Sequence, residues 1–128
     1  MKLLLDTHLV LWSARSAEKL SSAARKLIAD LDNELVFSAA SIWETAIKNA
    51  LRRKDFRFDP RLLRRNLLDN GYSELAIGSE HAAAVADLAP IHKDPFDRIL
   101  VAQSVVEGIP LLTTDPLVAQ YGGLVRAV

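Results

Sequence analysis

Four acidic residues stand at the ends of apolar segments or inside them, where an unpaired carboxylate is costly. Asp6 and Asp115 each follow a short apolar run. Asp97 opens a long apolar stretch, and Glu44 lies within another. A buried carboxylate must be hydrogen-bonded, paired or bound to a cation, so these four residues indicate one shared pocket.

Clustered carboxylates repel one another and take up protons unless a cation lies among them. The chain has no cysteine, which leaves oxygen atoms as the main ligands. Oxygen ligands favour a hard ion such as Mg²⁺, with Mn²⁺ as a substitute. Such an ion activates water and stabilises charge on a phosphoryl group. The acidic residues therefore predict metal-assisted phosphodiester hydrolysis.

The helix that would present Asp97 has clear local signals at both ends. Asp94 is a predicted N-cap, Pro95 suits the first helical position, and Gly108 ends the helix. Asp97 then lies in the first turn, where the helix dipole favours a carboxylate. A purely structural interpretation is that Asp94 and Asp97 only cap the helix, as in a capping box.

Short apolar runs alternate with segments of helical periodicity along the chain. Strands are predicted over residues 2–6, 34–37, 74–77, 110–113 and 124–128. Helices are predicted over residues 7–14, 22–31, 39–52, 60–71, 79–88 and 95–108, with a turn or short helix over 115–121. Ser79 is the predicted cap of its helix, and Leu31 belongs to the predicted inner stripe of the second helix.

This alternation predicts a single α/β domain over residues 1–128, with a mostly parallel central sheet covered by helices on both faces. In such sheets, sites form beyond the carboxyl ends of the strands. Asp6 and Asp115 follow strands and Asp97 begins a helix, so all three are expected at one edge. Glu44, in a helix entered directly from a strand, is expected to lean over the same edge.

Composition narrows the class of protein. The absence of cysteine excludes disulfides and is compatible with a cytoplasmic setting. No signal peptide or membrane-spanning run is predicted, which favours a soluble protein. Sixteen basic and sixteen acidic residues give a net charge of zero, so bulk attraction to nucleic acid is not expected.

Basic residues nevertheless crowd one segment: Lys48, Arg52, Arg53, Lys54, Arg57, Arg61, Arg64 and Arg65. A solvated helix surface and a phosphate-binding surface are both compatible with this pattern. If the Glu44 side chain faces the pocket, Lys48 and Arg52 follow it at intervals of four residues on the same helix face. These two residues are the predicted RNA-phosphate contacts.

The order of these residues resembles that of the PIN-domain nucleases. Asp6-Thr7 follows the first strand, Glu44 lies in the third helix, Asp97 opens a late helix, and Thr113-Thr114-Asp115 ends the next strand. The stretch from His92 to Arg98, with Ala102-Gln103 after it, resembles more narrowly the VapC-type toxins of toxin–antitoxin pairs. The resemblance runs almost from end to end.

This resemblance implies a PIN-like three-layer α/β/α fold and a Mg²⁺-dependent endoribonuclease that leaves 5′-phosphate and 3′-hydroxyl ends. It also implies an antitoxin partner and a homodimer. By analogy Asp6, Glu44 and Asp97 form the principal acidic triad, with Asp115 as the fourth metal-site residue. Thr7 and Thr113 would position waters or these carboxylates, or merely hydrogen-bond at strand ends.

Two other functions compete with this interpretation. One is a nuclease-like fold kept as a non-catalytic RNA- or protein-binding module. The other is a Mg²⁺-dependent phosphatase or phosphoacceptor domain, but a phosphatase of this kind would need an aspartate at position 8, where His8 stands. For the remaining polar residues, His92 is expected to shape its loop, and Arg98 to pair with Asp97.

Overall fold

The computed structural model describes residues 1–51 and 58–128, and within these ranges the chain is built around one five-stranded sheet. The strands are β1 (Lys2–Leu5), β2 (Glu34–Ser38), β3 (Ser73–Leu75), β4 (Leu111–Thr113) and β5 (Val125–Ala127). Their order across the sheet is β3-β2-β1-β4-β5, and each neighbouring pair is parallel. The predicted parallel α/β sheet is confirmed.

Helices connect the strands on both sides of the sheet. They are α1 (Thr7–Arg15), α2 (Ser22–Ala29), α3 (Ala39–Ala50), α4 (Pro60–Asp69), α5 (Ser79–Ala84), α6 (Pro95–Glu107) and α7 (Pro116–Ala119). Short 3₁₀ turns cover Ala17–Lys19 and Val85–Asp87. Across the described ranges, none of the helices has the length and apolar content needed to cross a bilayer.

Two details of the helix prediction are wrong. Gly78 rather than Ser79 is the N-cap of α5, because the ring of His81 supplies the cap by accepting a hydrogen bond from the Gly78 N–H (3.0 Å). The α-helix then ends at Ala84. Leu31 lies beyond the end of α2 and is 99% exposed, so it is not part of the inner stripe.

Alternating residues of β1 supply two separate apolar cores. Leu3 and Leu5 face the core that contains residues of α1, α2 and α4. Leu4 faces the opposite core, which contains residues of α6 and α7. The period of two in an extended strand produces this division. The predicted three-layer arrangement is therefore observed.

The strand order places a crevice beside β1. The chain builds outward from β1 through β2 to β3, and then returns to the other side of β1 for β4 and β5. Loops that leave β1 and β4 consequently diverge at the carboxyl ends of these two strands. Open α/β sheets bind their ligands at such a reversal of strand order.

We expect Leu4→Ala to lower the free energy of unfolding by about 2–5 kcal/mol, because the side chain is fully buried in β1 and its loss leaves a cavity. Leu31→Ala removes the same atoms from an exposed position and should change the free energy of unfolding by less than about 0.5 kcal/mol. Urea denaturation of both variants provides the measurement. Equal effects would contradict the assignment of the two positions.

Candidate active site

Asp6 joins the carboxyl ends of β1 and β4. It is buried as the N-cap of α1, and its Oδ1 accepts a hydrogen bond from the Leu9 N–H (2.9 Å). Its Oδ2 accepts from the Thr113 hydroxyl (2.7 Å) and from the Thr114 N–H (3.1 Å). Thr113 therefore positions the carboxylate, which is one of the roles predicted for it from the sequence.

Glu44 is held from both sides within the second turn of α3. The Thr7 hydroxyl donates to Glu44 Oε1 (2.7 Å), and the Lys48 ammonium lies 2.6 Å from Oε2. Only 4% of Glu44 is exposed, so this charge is stabilised by contacts rather than by bulk water. Thr7 positions an acid here, as Thr113 does for Asp6.

Asp94 and Asp97 have different roles at the start of α6. Asp94 caps the helix, since its Oδ1 accepts a hydrogen bond from the Phe96 N–H (2.8 Å). In a capping box, the Asp97 side chain would accept a hydrogen bond from the Asp94 N–H. That N–H donates instead to Nδ1 of His92 (3.2 Å), so the capping-box interpretation of Asp97 is wrong. The Asp97 carboxylate faces the other acids of the site.

Asp115 reaches the same edge through the loop after β4. Its Oδ1 caps α7 by accepting from the Leu117 N–H (2.8 Å). Its Oδ2 lies 3.2 Å from Nε2 of His92, and the same nitrogen is 3.1 Å from Oδ2 of Asp97. His92 therefore bridges two of the predicted acids, a contact that its expected loop-shaping role did not include.

The electrostatics of the site are those of crowded carboxylates. Burial raises the pKa of Asp6, and the hydrogen bonds from Leu9, Thr113 and Thr114 offset this only in part. Desolvation raises the pKa of Asp97 to about 7, with further contributions from the charges of Asp94, Glu44 and Asp6. The His92 ring acts in the opposite direction.

Neighbouring side chains fix α3 and α6 beside the acids. Trp43 and Phe96, which precede Glu44 and Asp97, meet edge to face with ring centroids 5.0 Å apart. At the base of α3, the Ser38 hydroxyl donates to Oε1 of buried Gln103 (2.6 Å). These contacts tie the two acid-bearing helices together, which gives the Gln of the late sequence motif a structural role.

Arg98 does not form the predicted ion pair with Asp97. Its guanidinium donates to the carbonyls of Val85 and Ala89 and to the Tyr121 hydroxyl. The side chain therefore fixes the segment before α6 to the helix itself. Adjacent helical residues point in different directions, so a charge beside Asp97 in sequence is not a charge beside it in space.

The predicted phosphate contacts have separate outcomes. Lys48 lies at the site, in its ion pair with Glu44. Arg52 lies outside the described residues, as do the neighbouring basic residues up to Arg57. Farther along the basic segment, Arg64 forms a two-point ion pair with Glu74.

The donor set at this edge fits a hard divalent cation. Asp6, Glu44 and Asp97 offer carboxylate oxygens, which Mg²⁺ and Mn²⁺ prefer. The raised pKa of Asp97 reflects its burial first and then the nearby charges of Asp94, Glu44 and Asp6. A cation among these carboxylates would relieve their mutual repulsion.

Comparison with known proteins places the chain in a family. The PIN domain family model matches residues 3–124, and the chain belongs to the PIN domain family. No curated protein matches it significantly.

Similar solved structures share the fold over nearly the whole chain. A chain of VapBC2 from Rickettsia felis has 11% sequence identity and a TM-score of 0.70, with 99% of this chain and 98% of that chain covered. VapBC-1 from nontypeable Haemophilus influenzae has 17% sequence identity and a TM-score of 0.68, with 100% of this chain and 97% of that chain covered. A chain of a toxin–antitoxin complex from Klebsiella pneumoniae has 14% sequence identity and a TM-score of 0.64, with 97% of this chain and 95% of that chain covered. The expected PIN-like, VapC-like architecture is therefore confirmed.

Proposed function

We propose that this protein is a Mg²⁺-dependent endoribonuclease that acts as the toxin of a toxin–antitoxin pair in the cytoplasm. The observation that carries the proposal is the convergence of Asp6, Glu44 and Asp97 at the crevice beside β1, with the pKa of Asp97 raised to about 7. A cation would stabilise these desolvated and mutually repelling carboxylates, and a metal held there suits a phosphodiester substrate.

Within this proposal Asp6 and Asp97 hold the metal, and Glu44 and Asp115 complete the acidic pocket. A bound Mg²⁺ would activate water and stabilise charge on the phosphoryl group. Thr113 keeps the Asp6 carboxylate oriented, and Thr7 does the same for Glu44. Because these hydroxyls donate from buried positions, the carboxylates need little reorganisation when a substrate arrives.

Lys48 has two tasks in this scheme. Its ammonium neutralises Glu44 in the absence of substrate, at 2.6 Å from Oε2. A third of its side chain is exposed, so the same ammonium is also accessible to an RNA phosphate. Among the residues that the structure describes, this lysine is the cation placed directly against the acidic triad.

Cleavage of total cellular RNA by the purified chain tests the proposal. We expect cleavage with Mg²⁺, none after addition of EDTA, and recovery with excess Mg²⁺. Sequencing by direct ligation would detect the expected 5′-phosphate ends. Cleavage that persists in EDTA would contradict the metal requirement. RNA binding without any cleavage would favour the alternative of a non-catalytic binding module.

The phosphatase alternative has less support. His8 occupies the position where a second aspartate would be needed, and it is exposed and lies against the ring of Trp12 with centroids 5.6 Å apart. It therefore lies against the surface of α1, and its influence on Asp6 is through charge at a distance. A test with small phosphomonoesters should show no turnover that depends on the acidic residues.

An antitoxin and a second copy of the chain are the proposed protein partners. The similar solved structures named above include VapBC proteins and a toxin–antitoxin complex. On α3, Trp43 is 59% exposed and Ile47 is 38% exposed, and Leu51 just beyond the helix is 62% exposed. Residues spaced by four share one face, and an exposed apolar face of this kind is typical of a protein-binding surface. Light scattering of the purified chain tests the homodimer.

The basic segment gives a quantitative prediction. We expect Lys48→Gln together with Arg52→Gln to weaken RNA binding across sequences and to reduce the dependence of log affinity on log salt by about 0.7–1 per lost phosphate contact. The measurement is RNA affinity across a salt series with metal-free protein, so that no cleavage intervenes.

The matched control removes two lysines far from the acids. Lys2 lies at the amino end of β1, and Lys26 lies in the last turn of α2. The double variant Lys2→Gln, Lys26→Gln has the same change in net charge and should leave the slope unaltered. Equal slopes in all three proteins would mean that Lys48 and Arg52 contact no phosphate.

A further inference from the structure

His92 occupies a position between two of the acids that the proposed function places in the pocket. Its side chain is 16% exposed, and Nε2 lies 3.1 Å from Asp97 Oδ2 and 3.2 Å from Asp115 Oδ2. The backbone at this residue is also fixed, because the His92 N–H donates to the Tyr121 hydroxyl (3.1 Å). The ring therefore faces Asp97 and Asp115 from a fixed backbone.

The other ring nitrogen determines where the proton is. The Asp94 N–H donates to Nδ1 of His92 at 3.2 Å, so Nδ1 must carry a lone pair. A neutral imidazole has one N–H, which is then on Nε2. Nε2 donates this proton to Oδ2 of Asp115 (3.2 Å), and Oδ2 of Asp97 lies 3.1 Å from the same nitrogen.

The distances from His92 to the two carboxylates are compatible with two roles for the ring, as a metal ligand or as a hydrogen-bond donor. The ligand atoms of His92, Asp97 and Asp115 all lie within 4.8 Å of one another, close enough to surround a metal ion. Adjacent ligands on an octahedral ion with bonds of about 2.1 Å are about 3 Å apart, which is similar to the two observed separations. Distance alone therefore does not distinguish a ligand from a hydrogen-bond donor.

The position of the proton on the His92 ring distinguishes a metal ligand from a hydrogen-bond donor. A histidine that binds a metal through one nitrogen donates its other N–H to an acceptor such as a carbonyl or carboxylate. The second nitrogen of His92 instead faces a donor, the Asp94 N–H. Ligation through Nε2 would move the ring proton to Nδ1, where two N–H groups would then point at each other.

We propose that His92 is a positioning residue, which holds Asp115 beside Asp97 through its Nε2 proton and is not a metal ligand. The proposal rests on the proposed function only in treating this edge as a metal site. It assigns a role to the spacing His92-x-Asp94. The main chain of Asp94 sets the tautomer of the ring, and its side chain caps the helix that carries Asp97.

This role of His92 affects the arrangement of the Asp97 and Asp115 carboxylates. Two carboxylates this close repel unless a proton or a cation lies between them. Because the His92 N–H is donated to Oδ2 of Asp115, with Oδ2 of Asp97 3.1 Å from the same nitrogen, Asp97 would still have a carboxylate oxygen to offer a cation. The Asp115 carboxylate accepts two hydrogen bonds that hold it in place, one from His92 and one from Leu117.

The first test reads the tautomer directly in the full chain. Long-range ¹H–¹⁵N spectra should show His92 protonated at Nε2, both in metal-free protein and with Mg²⁺. His92→Gln assigns the signal among the three histidines, and His8→Gln removes a different one. A His92 ring protonated at Nδ1 in the presence of Mg²⁺ would overturn the proposal.

Mn²⁺ serves as a spectroscopic probe of whether His92 coordinates the bound metal ion. Pulsed electron paramagnetic resonance should detect no directly coordinated nitrogen on the bound ion. A nitrogen coupling that is present in the wild type and lost in His92→Gln would show that His92 is a ligand. If Mn²⁺ does not bind at all, the proposed function fails, and the tautomer measurement still decides the role of His92.

A double-mutant cycle then tests whether His92 acts through Asp115. The Kd for Mn²⁺ is measured for His92→Phe, Asp115→Asn and the double variant. Because the two residues act through one hydrogen bond, we expect a departure from additivity of at least about threefold. Effects that multiply to within twofold would contradict the proposal. If His92→Phe does not fold, His92→Gln completes the same cycle.

Discussion

Asp97→Asn should lower the rate of RNA cleavage by at least about a thousandfold while the protein remains folded. The amide has the shape of the carboxylate but lacks the charge that would hold the cation. Charge stabilisation by a metal is worth several kcal/mol, and each 1.4 kcal/mol or so is a factor of ten in rate. Single-turnover cleavage of RNA at saturating Mg²⁺ provides the measurement, and circular dichroism monitors the fold.

Asp94→Asn is the matched control for this substitution. It makes the same chemical change three residues earlier, at the N-cap, where asparagine accepts the Phe96 N–H about as well as aspartate does. We expect a much smaller loss of activity. A folded Asp97→Asn protein with full activity would exclude the proposed site. Equal losses in both variants would mean that Asp94 does more than cap the helix.

The stability of the metal-free protein should fall as pH rises from about 5 to about 7. The pKa of Asp97 is raised from 3.8 to about 7 in the folded protein, chiefly by desolvation and by the charges of Asp94 and Glu44. Between these two values the folded state binds a proton that the unfolded state has released. The free energy of unfolding therefore decreases with pH in this window, by at most about 1.4 kcal/mol per pH unit for one proton.

Urea denaturation in EDTA at a series of pH values measures this dependence. Asp6 has a raised pKa as well, so the comparison is between the wild type and Asp97→Asn. The variant should lose part of the slope and should be the more stable protein above pH 7. Identical slopes would contradict a raised pKa of Asp97 in the folded protein. Saturating Mg²⁺ should flatten the wild-type profile, because the cation replaces the proton.

The elements of the fold follow largely from local signals in the sequence. Helix α6 begins and ends where Asp94, Pro95 and Gly108 predict, and Gly108 has the left-handed φ of 69° that suits a glycine. The parallel sheet follows from short apolar strands that alternate with helices. Local signals failed at α5, where a histidine ring three residues along replaced the side-chain cap that Ser79 was expected to supply.

The amino-acid sequence by itself determined which acids reach the edge of the sheet, because each of them lies at a strand end or in a helix that such an end leads into. Only the tertiary structure decided what each acid contacts. Thr113 donates to Asp6 across 107 residues of chain, and His92 lies against Asp115 across 23. Such contacts depend on which strands become neighbours and on which ring nitrogen carries a proton. Neither is encoded in local periodicity, because both are set by hydrogen bonds that form only when distant segments pack together.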